Sequence, residues 1–348
     1  MSVFPYLMFL AVAWLVFGLL RERWPSAILA LFGIAYLAIY APVALAWIAL
    51  TAIEACLLVM WLDRKPRGGD LRQYLPYILF VNLLFVDLHP AILLVSVETL
   101  AISFSTIRIF MTAKQLLAMR SGYSHAELRW IWAAAFYLPA LIVGPVFSGL
   151  ELRKQAAENR RPEPTAHTFR FLIAGLVTVL LVNPWLSLKV AAIPAEIEAA
   201  SLGIAVPVML FAVLFAGFYG QSLVAEYSSR LFGRTLPYNF DKPWMASNIR
   251  DFWQRWHRSM ANFVMQYIFL PMNMRGVSAQ LATISAFVFM GLWHNLSAGY
   301  FVWGLVHGSL LAFWPKKVAS RLGRIAERAV TWIAVIGLSY IANYSWLA

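Results

Sequence analysis

Charge is scarce in this sequence, and negative charge most of all. Only 13% of the residues are Asp, Glu, Lys or Arg, about half the usual share of a soluble domain. Acidic residues number 16 against 28 basic ones. Sulfur chemistry is nearly absent: Cys56 is the single cysteine, which excludes an intramolecular disulfide, and its apolar surroundings mark it as packing. There are six histidines, and no spacing among them fits a metal site, so no metal is expected. Internal repeats and low-complexity tracts are missing too. No polar stretch is long enough to build a soluble domain; the most linker-like piece is 150–167, ELRKQAAENRRPEPTAHT.

Apolar residues are what the chain has. They make up 61% of it, with a mean hydropathy of +0.70 and 15 Trp, 14 Tyr and 24 Phe. This is the composition of an all-α polytopic integral membrane protein, read as one membrane-embedded domain over 1–348. Apolar runs near spanning length fall at 3–20, 25–40, 42–62, 73–88, 90–110, 130–149, 168–186, 201–222, 278–294, 297–314 and 329–347, giving about 10–11 membrane helices. The first run has no basic segment before it and is followed by Arg21-Glu22-Arg23, so it reads as a retained span and not a cleaved signal. The net charge of +12 sits in short segments between the runs, the pattern of cytoplasmic loops facing anionic lipid. Membrane lipids, and not nucleic acid, are the expected partners of that charge.

The charge pattern also tests the topology. With the amino terminus outside, the basic segments 21–24, 63–72 and 111–129 fall inside, while the turns at 41 and 87–90 fall outside without Lys or Arg. A full crossing by 130–149 would then put the basic stretch 150–170 outside. That run contains Pro139, Gly144, Pro145 and Gly149, which free backbone groups that only protein or a wet cavity can satisfy. The run is therefore expected to be re-entrant, leaving 150–167 and 226–258 inside.

Segment 247–263, SNIRDFWQRWHRSMANF, is too polar to span. Ser247 or Asn248 with Asp251 resembles a helix start. Phe252, Trp256, Ser259 and Phe263 follow at helical spacing, with Arg250, Arg255 and Arg258 among them. An interfacial amphipathic helix is expected, with an Asp251–Arg255 pair at i,i+4 and a short re-entrant run at 263–272 behind it. Three of the histidines lie in this last third: His257, His294 in GLWHN and His307 in WGLVHG. Ionisable groups at membrane depth are costly and point to function. Imidazole exchanges protons near neutral pH, and burial favours the neutral form that a base requires. Packing competes as an explanation for His307, because Gly304 and Gly308 have the spacing of a close helix–helix contact. His89, His125 and His167 read as turn and loop residues.

The run of motifs FWQRWH (Phe252 to His257), GLWH (Gly291 to His294) and WGLVHG (Trp303 to Gly308) resembles the membrane-bound O-acyltransferase (MBOAT) superfamily. The likeness is to its bacterial branch, which acylates alginate, peptidoglycan and teichoic acid. FYLPALIVGPVFSG (136–149), SRLFGRTLPYNFDKPW (229–244) and AISFSTIRI (101–109) are similar to further segments of that branch, and the motif core spans about 226–314. The resemblance implies re-entrant segments around a central funnel in the bacterial inner membrane. It implies transfer of a short acyl group, acetyl first, from a cytoplasmic thioester to a hydroxyl outside. The donor would be acetyl-CoA or an acyl-carrier phosphopantetheine, with no tightly bound cofactor. The acceptor would be an extracytoplasmic polysaccharide or an esterase-like partner protein.

By the same resemblance His294 matches the family's invariant histidine and His257 its second polar position. The chemistry suits them, because an acceptor alcohol needs a base and the developing oxyanion needs a donor. His294 is the expected base. His257 is expected to position substrate or stabilise the oxyanion, with His307, Asn295, Trp293 and Trp256 as supporting candidates. Arg255, Arg250, Arg258 and Asn239 are candidates for the donor side. Three departures bear on substrate more than on reaction class: Asn295 follows GLWH where glycine is usual, Arg258 follows RWH where a small or aliphatic residue is usual, and the glycine-rich element is reduced to PMNMRG (271–276). A polytopic transporter or channel, or an acyltransferase scaffold without activity, is the competing reading, and within the class the alternative is a carrier-protein-dependent D-alanyl transferase.

Overall fold

The structure is a computed structural model that describes residues 3–20, 24–65, 70–83, 96–119, 124–192, 205–315 and 321–344. Among these the fold is entirely helical. The chain forms two compact units, residues 1–174 with 221–237 and residues 175–220 with 238–348.

The first unit opens with α1 (Val3–Leu19), α2 (Pro25–Tyr40) and α3 (Pro42–Asp63). A proline starts each of α2 and α3, where the missing N–H costs nothing. The expected span 73–88 is broken in its described part. A five-residue helix α4 (Asp70–Tyr74) gives way to a 3₁₀ run, Leu75–Phe80, at Pro76. The expected turn at 87–90, with His89, lies outside the described residues. The next helix is α5 (Ser96–Ala118).

Run 130–149 is not a spanning helix. It forms a seven-residue α6 (Arg129–Ala135), a 3₁₀ turn Leu138–Ala140 and an irregular stretch before α7 (Gly149–Ala157). Its two ends meet: a Cβ on Gly149 would lie 2.1 Å from the Trp130 carbonyl oxygen, and Arg153 pairs with Glu127 at 2.7 Å. The chain therefore returns to the side from which it entered, as the charge pattern required.

The broken stretch is buried, so its carbonyls need donors. Arg108 on α5, completely buried, donates to the carbonyls of Ala134 (3.4 Å) and Ala140 (2.7 Å) and to Phe104 one turn back (3.0 Å). Ser105 donates to Ala135, and the Tyr6 hydroxyl reaches the Leu138 and Pro139 carbonyls. The Gly149 N–H donates to Thr112 Oγ1 at 2.7 Å. Among the described residues no carboxylate pairs with Arg108; backbone dipoles and the Phe147 ring, 5.3 Å away, hold its charge.

Helix α8 (Ala166–Val177) continues through a π turn, Thr178–Val182, into α9 (Asn183–Ala191). The long α10 (Ala205–Leu231) gives its first part to the second unit and the rest to the first. The second unit continues with α11 (Ile249–Arg255) and α12 (Arg258–Val264). A second π turn, Met265–Phe269, leads to α13 (Leu270–Asn273). Then come α14 (Ala279–His294), α15 (Ala298–Phe313) and α16 (Arg321–Tyr344). Both π turns end just before a proline, Pro184 and Pro271. A wide turn there relieves the clash of the ring with the carbonyl four residues back.

Helices α14 and α15 form a tight pair because glycines line their seam. Cβ atoms on Gly291, Gly304 and Gly308 would lie 2.2 Å from the Tyr300 oxygen, 2.5 Å from the Phe287 oxygen and 2.8 Å from the Ile284 Cα. Among the described residues four helices are long and apolar enough to cross a membrane: Pro42–Asp63, Ala166–Ala191, Ala205–Leu231 and Leu322–Ala342. Four shorter apolar helices, among them α14 and α15, accompany them. The protein is an all-α polytopic membrane protein.

Two outcomes test this packing. Arg108→Met leaves the Ala134 and Ala140 carbonyls without their donor, at about 1–3 kcal/mol each, so the thermal unfolding midpoint in detergent should fall. An unchanged midpoint would mean that other groups satisfy those carbonyls. Gly304→Ala forces the α14–α15 seam apart and should cost about 1–3 kcal/mol, read in the same melt.

Candidate active site

The expected continuous helix over 247–263 is broken at Trp256-His257. Its start is as read: Asn248 caps α11, accepting from the Asp251 N–H at 3.0 Å. The Asp251 carboxylate in turn accepts from the Ser247 N–H and hydroxyl and from Arg255 Nε, the last at 2.5 Å. Burial by itself would raise the Asp251 carboxyl, but the Ser247 and Arg255 hydrogen bonds outweigh it and hold the group below its ordinary value.

The break has a physical cause in the preceding strip Asn239-Phe240-Asp241. The Asp241 N–H donates to the Arg255 carbonyl and the Arg258 N–H to the Asn239 carbonyl, each at 2.9 Å. These two bonds bracket Trp256-His257 and take the backbone groups that a continuous helix would use. Asn239 is fully buried, and its side-chain oxygen accepts from the Ser259 hydroxyl at 2.5 Å. It therefore belongs to the support of this turn. Tyr238 beside it is exposed.

His257 adopts left-handed backbone angles, φ 45° and ψ 49°, which cost a non-glycine residue about 1–3 kcal/mol. The bend turns its ring inward, where it is buried and packs edge-on against Phe218 with centroids 4.7 Å apart. Trp256 points into an aromatic cluster, stacked on Phe252 (5.4 Å) and Phe211 (5.5 Å) with Phe240 edge-on at 5.1 Å. Phe211, Phe215, Phe218 and Tyr219 on α10 supply one wall. These residues were missed from sequence, although their helical spacing carried the signal.

His294 is the last residue of α14, and Asn295 after it is extended, φ −165° and ψ 137°. The His294 ring lies 4.6 Å from Trp293, 5.7 Å from Tyr300 in stacked geometry and 6.1 Å from Trp303. Unlike the buried His257, it is exposed. His307 is buried between Trp253 (5.2 Å) and Trp303 (4.7 Å), and its Nδ1 has no hydrogen-bond partner among the described residues. Trp303 touches both His294 and His307.

A cavity of about 650 Å³ opens onto His257. It follows α14 from Gln280 to Met290, one turn short of His294, a length of about 15 Å at the helical rise. Arg250, Gln254, Arg258 and Asn262 line the opposite wall. The three arginines have different surroundings. Arg250 donates to the Leu311 and Trp314 carbonyls at the end of α15 (3.2 and 3.0 Å). Arg255 is engaged by Asp251. Arg258 is exposed, lines the cavity and has no described ion pair or side-chain hydrogen bond. No group of three or more His, Cys, Asp or Glu among the described residues is placed to hold a metal.

The chain is similar to several proteins of named activity. It aligns with a peptidoglycan O-acetyltransferase of Helicobacter pylori at 33% identity over 102 residues, 28% of this chain and 19% of that protein. A teichoic acid D-alanyltransferase of Bacillus subtilis is 32% identical over 108 residues, 28% and 27% of the two chains. The probable alginate O-acetylase AlgI of Pseudomonas fluorescens is 31% identical over 104 residues, 29% and 21%. The alignments thus cover about a fifth to a quarter of those relatives' own length. The family match is far broader: residues 26–339 fit the MBOAT model, membrane-bound O-acyltransferase family, and the chain belongs to that family.

Proposed function

We propose that this protein moves a short acyl group, acetyl in the first instance, from a cytoplasmic thioester to a hydroxyl of an extracytoplasmic polysaccharide or of a partner protein that completes the transfer. One observation carries the reading: His257 faces a cavity with an arginine-bearing wall, and that cavity runs along α14 to within one turn of the exposed His294. The positive-inside pattern puts Arg250, Arg258 and the end of α15 on the cytoplasmic side. A donor thioester enters there, its anionic part near Arg258, and its acyl end reaches toward the two histidines. The bacterial cytoplasmic membrane is the matching location.

In the reaction, His294 takes the proton of the acceptor hydroxyl as the oxygen bonds to the thioester carbonyl carbon. His257 stabilises the oxyanion that forms. The C–S bond then breaks, and the departing thiolate recovers the proton from His294. His307 works indirectly, holding Trp303 and through it the face of His294. The donor is acetyl-CoA or the phosphopantetheine of an acyl carrier protein. The likeness to teichoic acid D-alanyltransferases supports the carrier as a second reading.

Both proposed roles can be measured with purified protein in proteoliposomes, using acetyl-CoA and reading thiol release and acetyl transfer. His294→Ala should lower kcat by about 10²–10⁴-fold while the protein still purifies folded; near wild-type turnover would sink the mechanism. Arg258→Ala should raise the KM for acetyl-CoA about tenfold or more, with kcat little changed. If only acyl-carrier thioester supports turnover, the CoA reading fails and the carrier reading stands.

A further inference from the structure

The first unit contains a second cavity, of about 930 Å³, that the acyl-transfer chemistry does not use. Among the described residues four arginines line it, Arg129, Arg160, Arg161 and Arg234, and no carboxylate does. Glu158 is engaged by Arg160 at 2.7 Å, and Glu163 by Arg230 at 2.9 Å. Arg129 and Arg161 have no described ion pair; the Arg129 guanidinium lies over the Trp130 ring at 5.3 Å.

The cluster is built into the fold. Gly233 is left-handed, φ 67°, and a Cβ there would lie 2.5 Å from the Arg160 carbonyl oxygen. Only glycine lets the 232–235 turn press so closely on 160–161, and that contact puts Arg234 beside Arg160. Arg234 is 4% exposed, with Nε donating to Ser26 Oγ at 3.3 Å. Burial, first, and the neighbouring Arg160 both work against its charge and lower its pKa. Like charges gathered in a partly dry pocket are stabilised by an anion.

The rest of the cavity is apolar. On α2, Ala27, Ala30, Leu31 and Ile34 form one stripe at helical spacing, joined by Phe17 and Ala133. Trp24, at the start of that stripe, is 69% exposed, the placement of an interfacial anchor. A small soluble anion would use the arginines and leave the stripe bare. A molecule with a phosphate at one end and an alkyl chain at the other matches both halves.

We propose that this cavity is a binding site for one anionic phospholipid, its phosphate among Arg129, Arg160, Arg161 and Arg234 and an acyl chain along α2. The assignment is independent of the acyl-transfer reading, and its test reads binding alone. The protein in detergent is mixed with phosphatidylglycerol, with phosphatidylcholine or with inorganic phosphate. Retained lipid is counted by native mass spectrometry, and the thermal midpoint is followed in parallel. Wild type should retain one phosphatidylglycerol in preference to phosphatidylcholine, and inorganic phosphate should not displace it.

Arg129→Gln and Arg161→Gln should each weaken retention about fivefold, and together about 30-fold. Ala30→Trp, which fills the apolar half and leaves all four arginines, should also release the lipid. Neither side chain makes a described hydrogen bond or ion pair, so these variants are expected to fold; a lipid-free midpoint equal to wild type verifies it. Equal retention of both lipids, or variants that bind like wild type, would overturn the site. Displacement by inorganic phosphate would overturn the lipid and leave a phosphate site.

Discussion

A backbone group that leaves its helix inside an apolar interior must find another partner, and this constraint shapes the molecule at both of its main breaks. Where the chain doubles back between α6 and α7, Arg108, Ser105, Tyr6 and Thr112 take up the released carbonyls and N–H. Where α11 ends and α12 begins, the backbone of Asn239 and Asp241 does the same. The solutions differ in kind. The first uses side chains, including a buried guanidinium held by carbonyls and an aromatic ring. The second uses backbone to backbone and leaves the side chains at the bend free to face inward.

That difference decides where chemistry can sit. A histidine in the middle of a regular amphipathic helix faces either the membrane surface or its own helix neighbours. His257 escapes both because the bracketed turn imposes left-handed angles on it. The strain is balanced by Ser259 on Asn239 and by the aromatic cluster that fixes Trp256. His294 is placed by another device: it ends α14, and the glycine seam keeps α15 close enough for Tyr300 and Trp303 to border its ring.

Helices whose limits are set by proline or by a sharp polarity change were legible in the sequence. α2 begins at Pro25 and α3 at Pro42, and both follow the expected runs closely. The re-entrant course of 130–149 was legible as well, because two prolines and two glycines inside an apolar run conflict with the charge of the next loop. The break at His257 was not. Local spacing there favours one helix, and the cause of the break lies in Asn239 and Asp241, whose backbone competes from outside the segment. The role of Arg108 was equally hidden, since a single arginine in an apolar helix does not reveal that its partners are carbonyls some thirty residues away.

The surroundings of the arginines separate structure from recognition more sharply than their number does. Arg250 closes the end of α15, Arg255 is matched by Asp251, and Arg108 serves the backbone. Each has its hydrogen-bonding capacity turned toward the fold, and removing it would leave buried or fixed partners behind. Arg258 differs: it faces a cavity, makes no described side-chain bond and stands where the resembling sequences have a small or aliphatic residue. A guanidinium kept beside an apolar site without a partner brings no packing gain, and solvation alone does not require it there. Its position on the cavity wall beside His257 is what the proposed function uses: there the charge that Arg258 faces arrives with the donor.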